Sequence, residues 1–183
     1  MKKIFYCLLI TATLFFSLPA LAQTFADNAA VVQLKYLLQL NGNWQAAATI
    51  LLKDGKKQAF TYYADFKKTA GNNGLTMIEW ADIPGIGKLI GANLIGIGPA
   101  DEKVHWYSVD NMGTTHEHIG EFTDGQHFSM VYKGNREGKE YIETITLILN
   151  GTDNMDFNLS ATLGGKEEEA ITGTFQRKDK KKL

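Results

Sequence analysis

Apolar and polar residues alternate in short segments along most of the chain. The alternation is clearest over residues 60–67 and 155–163, where apolar side chains occupy every second position. Because neighbouring residues of a β-strand point to opposite faces of the sheet, each segment predicts a strand with one dry face and one wet face. An earlier segment differs, because its apolar residues recur three or four positions apart between Ala29 and Leu40. It predicts one helix of about ten residues, ended by Asn41-Gly42.

Turn-forming residues punctuate the chain after this helix, and their spacing predicts about ten short strands. The turn signals are Asp54-Gly55, Asn73-Gly74, Pro99-Ala100-Asp101, Asn111-Met112-Gly113, Asp124-Gly125, Gly134-Asn135, Asn150-Gly151 and Gly164-Gly165. Sequential antiparallel strands with tight turns favour an all-β, up-and-down meander that closes into a barrel, because only closure removes both exposed edges. A two-sheet sandwich is the alternative fold.

A short motif at the head of the first strand strengthens the barrel interpretation. Gly42, one spacer and Trp44 directly follow the predicted helix, and this arrangement resembles the Gly-x-Trp motif of lipocalins and their calycin-type relatives. The layout of residues 34–177, with a central hairpin around residues 109–114, further resembles a group of secreted bacterial lipocalin-like proteins of poorly characterised function. The resemblance implies a ligand-sized barrel with Trp44 at its closed end, and it implies little about reaction chemistry.

The N-terminal segment predicts export. Lys2 and Lys3 precede an apolar run from Ile4 to Leu18, and Ala20-Leu21-Ala22 then provides a small-x-small cleavage site. Such a segment is typical of a signal peptide over residues 1–22, and it is too short to be kept as a membrane span. We therefore expect the mature protein in the periplasm or the medium.

Removal of residues 1–22 changes what the composition allows. The single cysteine, Cys7, leaves with the signal peptide, so we expect neither a disulfide nor thiol chemistry. Loss of two lysines takes the formal net charge from −1 to about −3, which is too mild to indicate a nucleic-acid partner. We expect a barrel domain over residues 23–177, a basic solvated tail over residues 178–183, and no integral membrane segment in the mature chain. The oligomeric state is unknown from the sequence.

The sequence contains no recognisable catalytic motif. The glycine-rich segment 84–91 lacks the Gly-Lys-Ser/Thr that ends a Walker loop. A dinucleotide-binding fold requires alternating strands and helices, which the pattern does not predict. No serine lies in a Gly-x-Ser-x-Gly elbow. We therefore predict no catalytic residues and no cofactor.

The register of the central hairpins decides which side chains face the barrel interior. If Asn111-Met112 and Asp124-Gly125 are two-residue loops, Trp106 pairs with Glu117, and Ile119 pairs with Met130. We place inside the face that buries more apolar surface. The predicted ligand-binding residues are Phe60, Tyr62, Trp106, Glu117, Ile119, Met130, Tyr132 and Glu143. Interior glutamates would orient a cationic or hydrogen-bond-donating ligand, unless they lie in solvent at the mouth or pair with a basic side chain.

The same register places the four histidines of the mature chain, His105, His116, His118 and His127, on the outer face. We therefore predict solvated surface histidines and no metal site. Two alternatives remain, because adjacent imidazoles can bind zinc or copper and a single histidine can ligate haem in a ten-stranded barrel. No cysteine or clearly placed carboxylate completes a metal shell in this register.

The sequence thus predicts an exported β-barrel that binds a small apolar or amphipathic molecule in its interior. One alternative is an enzyme that uses the same cavity, with Glu117 as acid or base or with a metal held by the histidines. The other is an envelope module that binds a partner and fills its cavity with its own side chains.

Overall fold

The structure is a computed structural model that describes residues 28–52 and 54–178. The predicted signal peptide and residues 179–183 of the predicted tail lie outside the described residues. Helix α1 (Ala29–Leu37) continues as a short 3-10 turn (Leu38–Leu40), and a second 3-10 turn (Ala70–Asn72) follows the second strand. The strands are β1 (Gly42–Leu51), β2 (Lys57–Lys68), β3 (Gly74–Ile83), β4 (Gly87–Ile97), β5 (Val104–Asp110), β6 (Thr115–Phe122), β7 (His127–Arg136), β8 (Lys139–Asn150), β9 (Asn154–Leu163) and β10 (Lys166–Lys178).

The ten strands form one closed antiparallel barrel. Each strand pairs with its neighbours in sequence, and β1 also pairs with β10 to complete the circle. This confirms the predicted up-and-down barrel with one short N-terminal helix, and the two-sheet sandwich is wrong. Strand β10 reaches Lys178, one residue into the segment predicted as a tail.

Alternate side chains of each strand point into the barrel interior, as the apolar pattern predicts. On β9, Met155, Phe157, Ala161 and Leu163 are buried, whereas the residues between them are exposed or half-buried. Removing these apolar side chains from water is the main driving force for closing the sheet around them.

Helix α1 covers one end of the barrel. The Asn28 side chain caps the helix by accepting a hydrogen bond from Ala30 N–H at 2.9 Å. Gln33 ties the helix to β6, because its side-chain amide both donates to and accepts from the backbone of Phe122, each at 2.8 Å. Leu37, the last residue of the helix, is fully buried. Among the residues that the structure describes, no helix is long and apolar enough to cross a membrane.

Trp44 lies buried beside this covered end, as predicted. Its indole N–H donates to the Leu40 carbonyl at 2.7 Å, which joins the first strand to the end of the helical segment. The guanidinium of Arg177 lies 4.1 Å from the ring centroid and also donates to the carbonyls of Gln39 and Asn41. Arg177 therefore ties the last described strand to Trp44 and to the end of the helical segment.

The first central hairpin has a loop one residue longer than predicted. Asp110 N–H donates to the Thr114 carbonyl at 3.1 Å, so Asn111–Gly113 form a three-residue loop. Gly113, at the end of this loop, has a φ of 86°, as the left-handed position of a three-residue hairpin requires. Trp106 consequently pairs with His118.

The second central hairpin is shifted in the same way. Thr123 N–H donates to the His127 carbonyl at 3.0 Å, and the carboxylate of Asp124 accepts the backbone N–H groups of Gln126 and His127. Ile119 therefore pairs with Val131.

The two one-residue shifts cancel, so only β6 has its faces exchanged. Glu117 and Ile119 point outward and are exposed, with 38% of the Ile119 surface accessible. His116 and His118 point inward instead, and His118 is only 2% exposed. The predicted interior positions of Glu117 and Ile119, and the predicted surface positions of His116 and His118, are therefore wrong. The strands on either side keep the predicted faces.

Candidate functional site

The barrel encloses a cavity of about 460 Å³ that opens at the end opposite the helix. Its deeper wall is apolar and aromatic, formed by residues such as Phe66, Trp106, Met130, Met155 and Phe175. Polar side chains, among them Glu79, Asn93, His118 and Glu143, line other parts of the wall. The volume falls in the range of about 300–1,000 Å³ that small-molecule sites in proteins usually have.

Five of the eight predicted site residues line this cavity. They are Tyr62, Trp106, Met130, Tyr132 and Glu143. Phe60 lies next to Tyr62, with ring centroids 6.2 Å apart, and packs against the core outside the cavity wall. Glu117 and Ile119 lie on the outer surface for the reason given above. Residues that the sequence did not predict also line the cavity. The polar ones among them include His116, His118, Glu79, Asn93 and Tyr141.

Glu117 belongs to an ion-pair cluster on the outer surface. Its carboxylate lies 2.7 Å from His105 Nδ1, and the other ring nitrogen of His105 lies 3.1 Å from Asp101. The hydrogen bonds and charges of Glu117 and Asp101 raise the pKa of His105 above its ordinary value, although partial burial opposes them. His127 pairs with Asp124 at 2.9 Å, also in solvent. The predicted surface positions of His105 and His127 are confirmed.

His116, His118 and Glu143 form a compact cluster on the cavity wall. The two histidines come from alternate positions of β6, and Glu143 comes from β8, where it pairs with Tyr132 of the intervening strand. Glu143 Oε1 lies 3.0 Å from His118 Nε2 and 3.9 Å from His116 Nε2. Tyr141 donates its hydroxyl to the other carboxylate oxygen at 2.8 Å. The potential ligand atoms of the three residues all lie within 4.8 Å of one another.

The electrostatics of this cluster favour a charged Glu143 carboxylate and a neutral His116 imidazole. Burial raises the pKa of Glu143, but the contacts with His118, Tyr141 and His116 outweigh burial and hold that pKa below its ordinary value. Burial lowers the pKa of His116, and the charge of Glu143 only partly opposes this. Two imidazoles and one carboxylate can hold a transition-metal ion.

A second polar network crosses the cavity wall from β2 to β5. Tyr62 donates its hydroxyl to Glu79, which also accepts from the Asn93 amide at 3.0 Å. The carbonyl oxygen of Asn93 in turn accepts from the Trp106 indole at 3.0 Å and from the Ser108 hydroxyl. Trp106 is thereby fixed in orientation with its ring toward the cavity.

Glu79 has room in the wall because a glycine lies opposite it. A Cβ atom at Gly91 would lie 2.4 Å from Glu79 Oε1, so only glycine fits there without displacing the carboxylate. Burial raises the pKa of Glu79 above its ordinary value, and the hydrogen bonds from Tyr62 and Asn93 oppose this only in part. Gly91 could have indicated space for a polar side chain inside the barrel, but the sequence did not show that it lies opposite Glu79.

We expect Glu79→Gln to change how stability depends on pH. A carboxyl whose pKa is raised by folding stabilises the native state below its unfolded value of 4.5, and this contribution is lost as pH rises through the folded pKa. The glutamine variant cannot titrate, so its stability relative to the natural protein should increase from pH 4 to pH 8. Urea unfolding at both pH values measures the difference, and a difference that is constant with pH contradicts the expectation.

Comparisons with known proteins support the fold. No family model and no curated protein matches the sequence. Among solved structures, the chain is similar to the S-type phycobiliprotein lyase CPES from Guillardia theta, with a TM-score of 0.54, 13% identity, and coverage of 80% of this chain and 93% of that one. It is also similar to Rv2717c from M. tuberculosis, with a TM-score of 0.57, 15% identity, and coverage of 80% and 98%. At these identities the similarity is one of fold, the closed ten-stranded antiparallel barrel.

Proposed function

We propose that this protein is an exported barrel that binds a small apolar or amphipathic molecule in its interior. The observation that carries the proposal is the 460 Å³ cavity, which combines apolar walls with convergent polar groups. The close-packed interior of a protein domain contains few voids larger than a water molecule. Space of this volume in a closed barrel therefore favours an occupant.

The distribution of polar groups favours an amphipathic occupant. The helix-covered end is formed by apolar side chains such as Phe122, Phe128 and Leu147. The Glu79 network and the His116–His118–Glu143 cluster lie on the cavity walls above it. An apolar body seated against Trp106 would place a polar group at the level of these side chains.

The structure bears differently on the alternatives from the sequence. An enzyme with Glu117 as acid or base is not compatible with the position of that side chain on the outer surface. An enzyme with a metal held by the histidines has His116 and His118 on the cavity wall in its favour. A partner-binding module whose own side chains fill the barrel does not fit the open cavity. The structural neighbour described as a phycobiliprotein lyase adds a linear tetrapyrrole to the ligand classes worth testing.

Two measurements test ligand binding. The first is mass spectrometry of an organic extract of protein purified from its native host, in which a stoichiometric small molecule is expected. The second is titration with anilinonaphthalene sulfonate (ANS) and with biliverdin, followed by tryptophan emission. Trp106 lines the cavity whereas Trp80 is on the outer surface, so Trp106→Phe should remove the emission change and Trp80→Phe should not. Absence of both a co-purifying molecule and any saturable emission change would reject the proposal.

We expect cleavage after Ala22 when the full chain is produced in a bacterial host. The positively charged start, the apolar run and the Ala20-x-Ala22 site support this, and the residues before Cys7 lack the small side chains of a lipidation signal. Intact-mass measurement of the periplasmic or secreted fraction should give a chain that starts at Gln23. A chain that keeps residues 1–22, or one that carries a diacylglyceryl group, would contradict export as a free protein.

A further inference from the structure

The histidine pair inside the barrel is not satisfied by hydrogen bonds. His118 is 2% exposed, and neither of its ring nitrogens has a hydrogen-bond partner among the described residues. His116 Nδ1 is also buried without one. His118 Nε2 lies 3.0 Å from Glu143 Oε1, but the approach lacks the direction of a hydrogen bond. Buried polar atoms without partners cost stability, and His118 Nε2 is the one of these three that faces the Glu143 carboxylate.

The geometry of the cluster fits a metal ion better than it fits a hydrogen-bonded network. Both Nε2 atoms converge on the same carboxylate oxygen, at 3.0 and 3.9 Å. Ligand atoms bound to one tetrahedral zinc ion at about 2.0–2.2 Å lie about 3.2–3.6 Å from each other. All three ligand atoms lie within 4.8 Å of one another, so side-chain movements of about 1 Å would bring them onto one ion.

Tyr141 supports the carboxylate from behind. Its hydroxyl donates to Glu143 Oε2 at 2.8 Å, which leaves Oε1 directed at the histidines. Such hydrogen bonds to a ligating carboxylate orient it and commonly accompany metal sites. The cluster thus contains the two imidazoles, the anionic oxygen and the supporting donor of a metal centre.

We propose that His116 Nε2, His118 Nε2 and Glu143 Oε1 bind one divalent transition-metal ion, with zinc as the reference ion. Imidazole-rich sites select zinc, copper, nickel or cobalt over calcium and magnesium, which prefer oxygen ligands. Three protein ligands leave a coordination position that faces the cavity. The site requires no organic ligand, so it stands whether or not a small molecule occupies the barrel.

The expected affinity is moderate. Metal-binding histidines usually donate their second ring N–H to a carboxylate or carbonyl, and loss of such a partner lowers affinity about 10–100-fold. Neither His116 Nδ1 nor His118 Nδ1 has a partner among the described residues. We therefore expect zinc to bind in the micromolar range.

The test uses the full chain without a histidine tag, stripped with a chelator and titrated with zinc by calorimetry. One zinc ion per chain is expected. His118→Gln and Glu143→Gln should each weaken binding at least about tenfold, and Glu143→Gln retains an oxygen for Tyr141 should the histidine variant fail to fold. His127→Gln is the matched control, because His127 lies on the outer surface beside Asp124.

Cobalt provides a second readout that does not depend on affinity alone. Bound Co²⁺ should give the intense visible absorption of a four- or five-coordinate site, and His118→Gln should abolish it. Zinc binding that is equally weak in the natural protein and in Glu143→Gln would overturn the proposal. Loss of binding in His127→Gln would also overturn it, because the ion would then lie on the outer surface.

Discussion

Replacement of Trp44 by alanine is expected to lower the free energy of unfolding by about 3–5 kcal/mol. The ring is 2% exposed and lies among the residues that close the helix-covered end. Its removal leaves a cavity, and it also removes the donor to the Leu40 carbonyl and the aromatic face under Arg177. Buried packing and two connections at one end of the barrel are lost together, which places the expected effect among the largest for a single substitution.

Urea unfolding at constant pH measures this effect, and the chain offers a matched control. Trp80 is 42% exposed on the outer face, where its ring stacks on Tyr63 at 5.1 Å between centroids. Trp80→Ala removes a ring of the same size and should cost only about 0.5–1.5 kcal/mol. Equal effects of the two substitutions would mean that Trp44 does not close the barrel end.

The fold was predictable from the sequence because its signals are local. Alternation over residues 60–67 and 155–163 reports the two faces of a strand, and turn residues report where each strand ends. The Gly42-x-Trp44 motif indicated that the first strand begins directly after the helix. None of these signals depends on knowing which residues pair across the sheet.

The face of β6 was not predictable in the same way, because it depends on loops that differ by one residue. A two-residue turn of this type requires positive φ at both positions, and Asn-Met is a poor sequence for it. Gly113 is the residue that adopts positive φ. Asp124-Gly125 is a strong two-residue signal, yet the longer loop forms. A Cβ atom at Gly125 would lie 3.2 Å from the ring of Tyr36, so this glycine allows the helix to pack closely rather than setting the turn type.

Electrostatics on β6 could have indicated the correct face. The predicted register buries Glu117, and an unpaired buried carboxylate costs several kcal/mol. The observed register directs the imidazoles of His116 and His118 inward, together with Gly120 and Phe122. A Cβ atom at Gly120 would lie 2.1 Å from the backbone oxygen of Ser129, so the inward position needs glycine. The candidate metal site was missed because the predicted register placed His116 and His118 on the outer face.

Filling the cavity should abolish ligand binding without unfolding the barrel. Ile145 and Leu159 pair across β8 and β9, and both side chains face the cavity and are only partly buried. Ile145→Trp would extend a ring into that free space, where it displaces a ligand instead of overpacking a filled core. We expect the affinity for ANS to fall at least about tenfold, or about 1.4 kcal/mol, with a smaller change in stability than the about 1–3 kcal/mol typical of overpacking.

Ile148→Trp is the control for this experiment, because it adds the same ring to the same strand on the outer face. Ile148 is 39% exposed and three residues from Ile145, so its substitution should leave the affinity for ANS unchanged. Calorimetric titration of ANS avoids interference from the added tryptophan, and thermal unfolding verifies that both variants are folded. Equal affinities of the two folded variants would place the bound probe on the outer surface. Loss of affinity in Ile145→Trp alone would place it inside the barrel, against the same wall that presents Glu143.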